Sequence, residues 1–325
     1  MPDKTTIKDV AAHAGVSEAT VSRALNDSNQ VKQATRQRIQ RIAKELDYHP
    51  NGLARSIRLQ HTHTLGVIIP DILNAFFTQI VRAIEDAADQ RGYDVLIVNT
   101  DERLARETKA LDLMLEKQVD GIIIASAGGP TDYVARLGNT PAVFMDRMPP
   151  QQIARQYDRV LVDNIQATQA VITQLIKRGA QRVGIINSAV SMTATERLTG
   201  YHRALAAAGK PQDPAIEVVA RTDNSNVAQM TRQLLVNQKC DGLFAADNTI
   251  MDTVLHRIPE LDLPPFQLGG FDDQDWFDFL PYHIVTAKQP IAKLGQTAVE
   301  RLLAQISQHR VTPEEVRLAA TIVTH

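Results

Sequence analysis

Cysteine is almost absent from this sequence: Cys240 stands alone among 325 residues, so no internal disulfide can form and no thiolate cluster can hold zinc. Tryptophan is as rare, with Trp276 the single copy, and aromatics make up only 5% of the chain. Long apolar runs are missing too. LGVII at 65–69 is typical of the longest and far too short to span a bilayer, and the opening MPDKTTIKDV lacks the apolar core of a signal peptide. The expected setting is therefore the cytoplasm, with no membrane partner. Enzyme signatures are missing as well: no phosphate-binding G-x-x-x-x-G-K-[ST], no G-x-S-x-G elbow, no H-E-x-x-H and no G-x-G-x-x-G occurs. His61 and His63 have no third ligand beside them, and Asp272, Asp273, Asp275 and Asp278 lack a calcium loop's glycine and terminal glutamate. Neither a metal nor a cofactor is expected, and neither is catalysis. Only a carboxylate pair spaced for glycoside cleavage stays open, because that separation is not written in a sequence.

What is present is unevenly distributed. The length fits two or three domains, and 44% hydrophobic residues can bury sizeable cores. The net charge of −2 conceals a split: residues 1–60 hold ten Lys/Arg against six Asp/Glu, a balance of +4 that leaves −6 for the remainder. A basic head on an acidic body suits a polyanion-binding module joined to a separate domain.

The head begins with TIKDVAAHAGVSEATVSRALN, residues 6–26. Thr6-x-x-Asp9 is a capping-box pattern, and Ile7, Val10, Ala11 and Ala14 follow on one helical face. Gly15 supplies the left-handed residue of a tight turn, and Val16 plugs the angle between the helices. Ser17 caps a second helix that turns Val21 and Leu25 inward and leaves Glu18, Ala19, Ser22 and Arg23 outward. A third helix completes the core with Ile39, Ile42, Ala43 and Leu46, and Arg36, Arg38, Arg41 and Lys44 mark its outer face. This third helix disfavours the competing reading, a hairpin that merely packs on a neighbour. The pattern predicts a helix-turn-helix whose second helix enters a DNA major groove. Next comes YHPNGLARSIRLQHTHTLG, 48–66, too short and glycine-interrupted for a helix stable in isolation. It reads as a hinge that folds on DNA, with Ile57 between Arg55 and Arg58 as a minor-groove wedge. The alternative is a linker whose Ile57 packs on the body.

From Thr64 onward, short apolar strands alternate with amphipathic helices. TLGVII (64–69), DVLIVN (94–99), GIIIA (121–125), AVFMD (142–146), RVGII (182–186), GLFAA (242–246) and QLGGF (267–271) read as strands, enough for two lobes built on parallel sheets. RMPPQQIARQYD, 147–158, is the expected boundary between lobes. Ligands of such bodies sit at the carboxyl ends of strands. Those ends carry Asp71, Asn74, Phe76 and Phe77, then Ser126, then Asp146 and Arg147; Arg197, Asn224, Asp247, Asn248 and Asp272 follow in the second lobe. Carboxylates, an arginine and amides beside phenylalanine faces suit a polyhydroxylated ligand, because paired hydroxyls need bidentate partners and the C–H face of a sugar needs an apolar wall.

TIKDVAAHAGVSEATVSRALN followed by ELDYHPNGLARSI closely resembles the lactose/galactose repressor (LacI/GalR) family of bacterial regulators, and the likeness extends along essentially the whole chain. The resemblance implies an N-terminal all-α helix-turn-helix domain at 1–49, a hinge helix and linker at 50–63, and a two-lobed α/β body resembling periplasmic binding proteins at 64–325. It implies that Glu18, Ala19 and Arg23 read bases, that Thr20 and Ser22 hold phosphates, and that Ile57 is inserted at a central operator step. Thr6, Ser17, Asn26, Asn51, Ala54 and Arg55 complete the expected DNA-binding set. The implied effector site comprises Asn74, Phe76, Phe77, Ser126, Asp146, Arg197, Asn224, Asp247 and Asp272, with Arg197 and Asp272 holding hydroxyls. Asn224 stands where the family often has an aromatic residue and Asp247-Asn248 where it often has Asn-Asp, which predicts a more polar pocket. The expected function is a homodimeric repressor of a carbohydrate operon, bound to double-stranded, pseudo-palindromic operator DNA and controlled by a small sugar or sugar derivative. A co-repressor-dependent regulator and a sugar-binding protein without regulatory role are the alternatives.

Overall fold

In the computed structural model, which describes residues 5–25, 30–48, 61–188, 192–308 and 312–325, the chain divides into units of residues 1–62 and 63–325. Asn26, Asn51, Ala54, Arg55 and Ile57 lie outside the described residues, as does most of the expected hinge. No helix among the described residues is long and apolar enough to cross a membrane.

Local signals build the first unit. Its helices are α1 (Ile7–Ala14), α2 (Glu18–Leu25) and α3 (Gln33–Glu45). Before α1, the Thr6 N–H and hydroxyl both donate to Asp9 Oδ2, at 2.8 and 2.7 Å. Gly15 ends α1 at φ 60°, a conformation costly for a residue with a Cβ. The Thr20 N–H donates to Ser17 Oγ at 3.2 Å, capping α2. Val10, Ala14, Val21, Ala24, Ile39 and Ala43 are buried together, with Val16, Leu25, Ile42 and Leu46 packed around them.

The second unit alternates strand and helix. Its first stretch runs β1 (Thr64–Ile69), α4 (Ala75–Asp89), β2 (Asp94–Asn99), α5 (Leu104–Glu116), β3 (Gly121–Ile124), α6 (Tyr133–Leu137), β4 (Ala142–Met145), α7 (Gln151–Ala154) and β5 (Asp158–Val162). Then come α8 (Asn164–Lys177), β6 (Val183–Asn187), α9 (Met192–Ala207), β7 (Glu217–Val219), α10 (Val227–Arg232), β8 (Gly242–Ala245), α11 (Asn248–Arg257) and β9 (Gln267–Phe271). β10 (Ile284–Lys288), α12 (Ile291–Gln308), β11 (Glu315–Leu318) and β12 (Thr321–Thr324) complete it. The strands form two six-stranded sheets, ordered β11-β5-β4-β3-β1-β2 and β12-β10-β9-β8-β6-β7. Among the described residues, only the β10–β12 pair is antiparallel. Helices cover both faces, so β3, β4 and β8 are buried along their whole length and must be apolar at every position.

The lobe boundary differs from the expectation. Residues 147–158 do not leave the first lobe, because β5 pairs with β4 from Val143↔Asp158 onward. Met148 and Ala154 are buried in the first lobe's core with Ile153 and Tyr157 beside them, so the prolines there punctuate an internal loop. The chain crosses between lobes three times instead: from β5 to α8, from β10 to α12, and from β11 to β12. The first and third crossings touch, with the Asp163 N–H donating to Leu318 O at 2.9 Å. Just beyond them α8 and α9 pack very closely at Gly200, where an added Cβ would stand 2.4 Å from Ile165 O.

Candidate functional site

The head presents a polar face built on the first turns of α2. Glu18, Ala19 and Arg23 are exposed there, while Thr20 and Ser22 are half-buried. Ser17 Oγ and Thr20 Oγ1 lie 2.9 Å apart, and the acidic Asp9 is tied up by Thr6. The short Ala19 side chain leaves room for close approach to base edges, which Glu18 and Arg23 can reach, and the hydroxyls of Thr20 and Ser22 can reach phosphates. On α3, Arg38, Arg41 and Lys44 are exposed whereas Arg36 is half-buried, so the expected basic face is narrower by one residue.

The second unit holds a cavity of about 560 Å³ lined from both lobes. Eight of the nine expected effector residues meet there: Asn74, Phe76, Phe77, Asp146, Arg197, Asn224, Asp247 and Asp272. Ser126 does not. It is fully buried, its hydroxyl sharing a hydrogen bond with Tyr133 Oη at 2.8 Å and accepting from the Gly128 N–H at 3.0 Å. The cause is Glu107, a buried carboxylate of α5 that accepts from the Ala127 N–H and Tyr133 Oη and draws this loop around itself.

Backbone strain marks the cavity. Asp146, Asn224 and Asp272 have φ of 59°, 55° and 72°, left-handed conformations that non-glycine residues seldom adopt outside functional sites. Asp146 and Asp272 directly follow β4 and β9 and are 7% and 9% exposed. Burial raises the pKa of both carboxyls; that of Asp272 reaches about 6 although Arg197 and a hydrogen bond from Gln289 pull it down. Arg197, 6% exposed on α9, lies 3.7 Å over the Phe271 ring centroid. It donates to Ala246 O at 2.6 Å and to Asn164 Oδ1 at 3.1 Å. Desolvation lowers its pKa, while Asp272, Asp146 and Asp247 favour the charged form.

Asp247 caps α11, its Oδ1 accepting from the Ile250 N–H at 2.9 Å and Thr249 Oγ1 at 2.8 Å. Thr249 Oγ1 in turn accepts from Asn224 Nδ2 at 2.8 Å. Phe76 and Phe77 pack edge to face at 5.1 Å, and Arg147 sits 5.4 Å over Phe77 while donating to Glu102 Oε1 at 2.7 Å. The lobes are bonded across the cavity by Asn248 Nδ2 donating to Asn74 Oδ1 at 2.7 Å.

Ten of the lining residues, among them Asp101, Glu102, Asp223 and Gln289, are not among those expected from the sequence. Gln289 donates through Nε2 to Asp272 Oδ1, and its Oε1 is buried with no hydrogen-bond partner. It follows β10, a strand whose IVTAK run was the available signal. Asp272, Gln289 and Arg197 thus present a carboxylate, an amide carbonyl and a guanidinium to one cavity, able to accept from and donate to adjacent hydroxyls.

The head matches the family described as "Bacterial regulatory proteins, lacI family" over residues 6–51. The body matches "Periplasmic binding proteins and sugar binding domain of LacI family" over 62–239 and a periplasmic binding protein-like domain over 172–325. The ribose operon repressor of Halalkalibacterium halodurans is 33% identical over 314 residues, covering 94% of this chain and 91% of that protein. The chain belongs to the LacI family. The HTH-type transcriptional repressor CytR of Escherichia coli is another relative, 32% identical across 94% of this chain and 91% of its own length. Among solved structures, the Lac repressor dimer bound to operator and the anti-inducer ONPF superposes with a TM-score of 0.85 at 25% identity, covering 99% of this chain and 98% of that one. As a LacI-family member, the chain is a sequence-specific DNA-binding transcription regulator, and its helix-turn-helix and two-lobed body are those of the family.

Proposed function

We propose that this regulator represses a carbohydrate utilisation operon and that a neutral monosaccharide, held between the lobes, sets its affinity for operator DNA. The lining of the cavity carries this reading: seven carboxylates face four arginines and no lysine. That surplus of negative charge repels sugar acids and phosphosugars, while Asp272, Gln289 and Arg197 offer partners for neighbouring hydroxyls and Phe76 and Phe77 an apolar wall. D-Ribose is the first candidate, because relatives covering 94% and 98% of this chain are ribose operon repressors.

On the DNA side, Glu18, Ala19 and Arg23 read bases and Thr6, Ser17, Thr20 and Ser22 position the backbone, with Ile57, between Arg55 and Arg58 in the sequence, as the minor-groove wedge and Asn26, Asn51, Ala54 and Arg55 as further DNA contacts. A single helix-turn-helix covers one half-site, so a cytoplasmic homodimer on a pseudo-palindromic operator fits. Leu73 and Phe279, 91% and 88% exposed, are apolar surface that a second copy would cover.

The test is fluorescence anisotropy of a labelled near-palindrome from upstream of the gene. Protein is titrated alone and with D-ribose, other neutral monosaccharides, sugar acids and phosphosugars. A change in operator affinity with a neutral sugar is expected; a response to phosphosugars alone refutes the effector class.

A further inference from the structure

Glu196 precedes the cavity arginine on α9 but does not line the cavity. Its side chain, 12% exposed, accepts from two directions. Oε1 lies 2.8 Å from Nη2 of Arg317 on β11, and Oε2 accepts from Asn164 Nδ2 at 2.9 Å. Asn164 is the first residue of α8, directly after the first crossing between lobes; Arg317 stands just before the third. Asn164 Oδ1 accepts from Nε of Arg197 at 3.1 Å. One continuous chain of polar contacts therefore runs from the cavity guanidinium through Asn164 and Glu196 to Arg317. It continues into the first lobe, where Glu315 accepts from Arg317 Nε at 2.7 Å and from Arg159 Nε of β5 at 3.0 Å.

Both groups facing Glu196 are donors, and only an acceptor-only side chain satisfies both at once; a glutamine amide would turn its NH2 against one of them. Asn164 is 1% exposed, so its amide has no water to fall back on if Glu196 is lost. Arg197 and Glu196 are consecutive on one rigid helix, and both grip the same asparagine. A shift of the guanidinium towards a ligand hydroxyl therefore moves Asn164, and the lobes turn about the crossings that Asn164 and Arg317 flank.

We infer that Glu196 is a positioning residue that ties the cavity arginine to the first and third lobe crossings, so that occupancy of the cleft sets the angle between the lobes. The inference deepens the proposed function by naming the link between effector site and lobe movement, and two measurements on the full-length chain keep the two separable. In the first, spin labels at Gln90→Cys and Arg178→Cys, one exposed position in each lobe, report the lobe–lobe distance by pulsed dipolar resonance. The background is Cys240→Ser, with labelled protomers diluted into unlabelled chain. Glu196→Ala is expected to broaden the distance distribution without any ligand, and Glu196→Gln, which keeps one acceptor, to fall between it and the parent. An unchanged distribution in correctly folded Glu196→Ala, or in Glu196→Gln should the alanine variant not fold, overturns the inference.

In the second, D-ribose is the probe for both binding and release. Glu196→Ala is expected to bind D-ribose within about threefold of the parent while the fold-change that the sugar produces in operator affinity shrinks about fivefold or more. Retention of the full fold-change overturns the link. If D-ribose does not bind the parent chain, the choice of effector fails and the distance measurement alone decides the role of Glu196.

Discussion

Asp272 concentrates the chemistry of the cleft into one side chain. It follows β9 in a left-handed conformation at φ 72°, and burial lifts its carboxyl from 3.8 to about 6. A folded-state pKa above the unfolded value means that the native chain holds this proton where the unfolded chain has released it. The group's contribution to stability therefore falls as pH rises through the window from 3.8 to about 6. Sugar binding has the opposite slope, because hydroxyl donors favour the ionised carboxylate. D-Ribose affinity is expected to rise with pH through about 6 and to fall by up to about tenfold per pH unit below it. Calorimetry between about pH 5 and about pH 7.5 reads this directly; Asp272→Asn is expected to bind weakly with a flat profile, and a flat profile in the parent chain would remove Asp272 from the ligand. Asp272 and Arg197 were legible because a polar residue after an apolar strand or at a helix start is conspicuous. Ser126 gave the same signal and misled. Which way a strand-end residue faces depends on a distant group, here Glu107, and no local pattern records that. Gln289 was hidden for another reason: its strand precedes a Gln-Pro step and ends in Lys288, so it lacks the clean apolar run of the central strands.

At the scale of elements, the head was almost fully readable. Capping by Ser17, the turn at Gly15 and the apolar face of each helix are all fixed within a few residues. The central strands of the body were equally clear, since a strand covered on both faces must be apolar throughout. β5, β7, β10, β11 and β12 were not: several lie at or near sheet edges, where half-exposed positions carry charged or polar residues, and β7, β11 and β12 span only three or four residues each. Missing β5 is what displaced the lobe boundary. The contact between α8 and α9 is another feature that sequence hides, because Gly200 looks like an ordinary helix-weakening glycine. Its missing Cβ lets the backbone of α9 approach Ile165 O, and this closeness brings Arg197 and Glu196 against Asn164. Gly200→Ala should force the helices apart, at a cost of about 1–3 kcal/mol. A melting temperature lower by several degrees, about 2–4 °C for each kcal/mol in a body of this size, should accompany a weaker D-ribose affinity. An alanine variant as stable as the parent would mean that the helices separate freely and that Arg197 does not depend on their spacing.

The whole molecule combines two recognition events that answer differently to salt. Its net charge of −2 would argue against DNA binding if charge were spread evenly, but the first 60 residues carry +4. Exposed Arg38, Arg41 and Lys44 lie in that head, and each phosphate they neutralise on each half-site releases condensed counterions. With six or more such contacts in a dimer, operator affinity should fall about 10³-fold between about 50 and about 200 mM salt. The sugar site faces the other way. Asp146, Arg197, Asp272 and Gln289 are buried, its proposed ligand carries no charge, and the Debye screening that weakens exposed pairs acts little on hydrogen bonds inside a cavity. D-Ribose affinity should therefore change less than about twofold across the same range. Parallel titrations by anisotropy for operator and calorimetry for sugar separate the cases. A sugar-site affinity that drops steeply with salt would point to an anionic ligand and count against the surplus of carboxylates as the selector. A flat operator curve would show that the basic head does not govern DNA binding, whatever its fold.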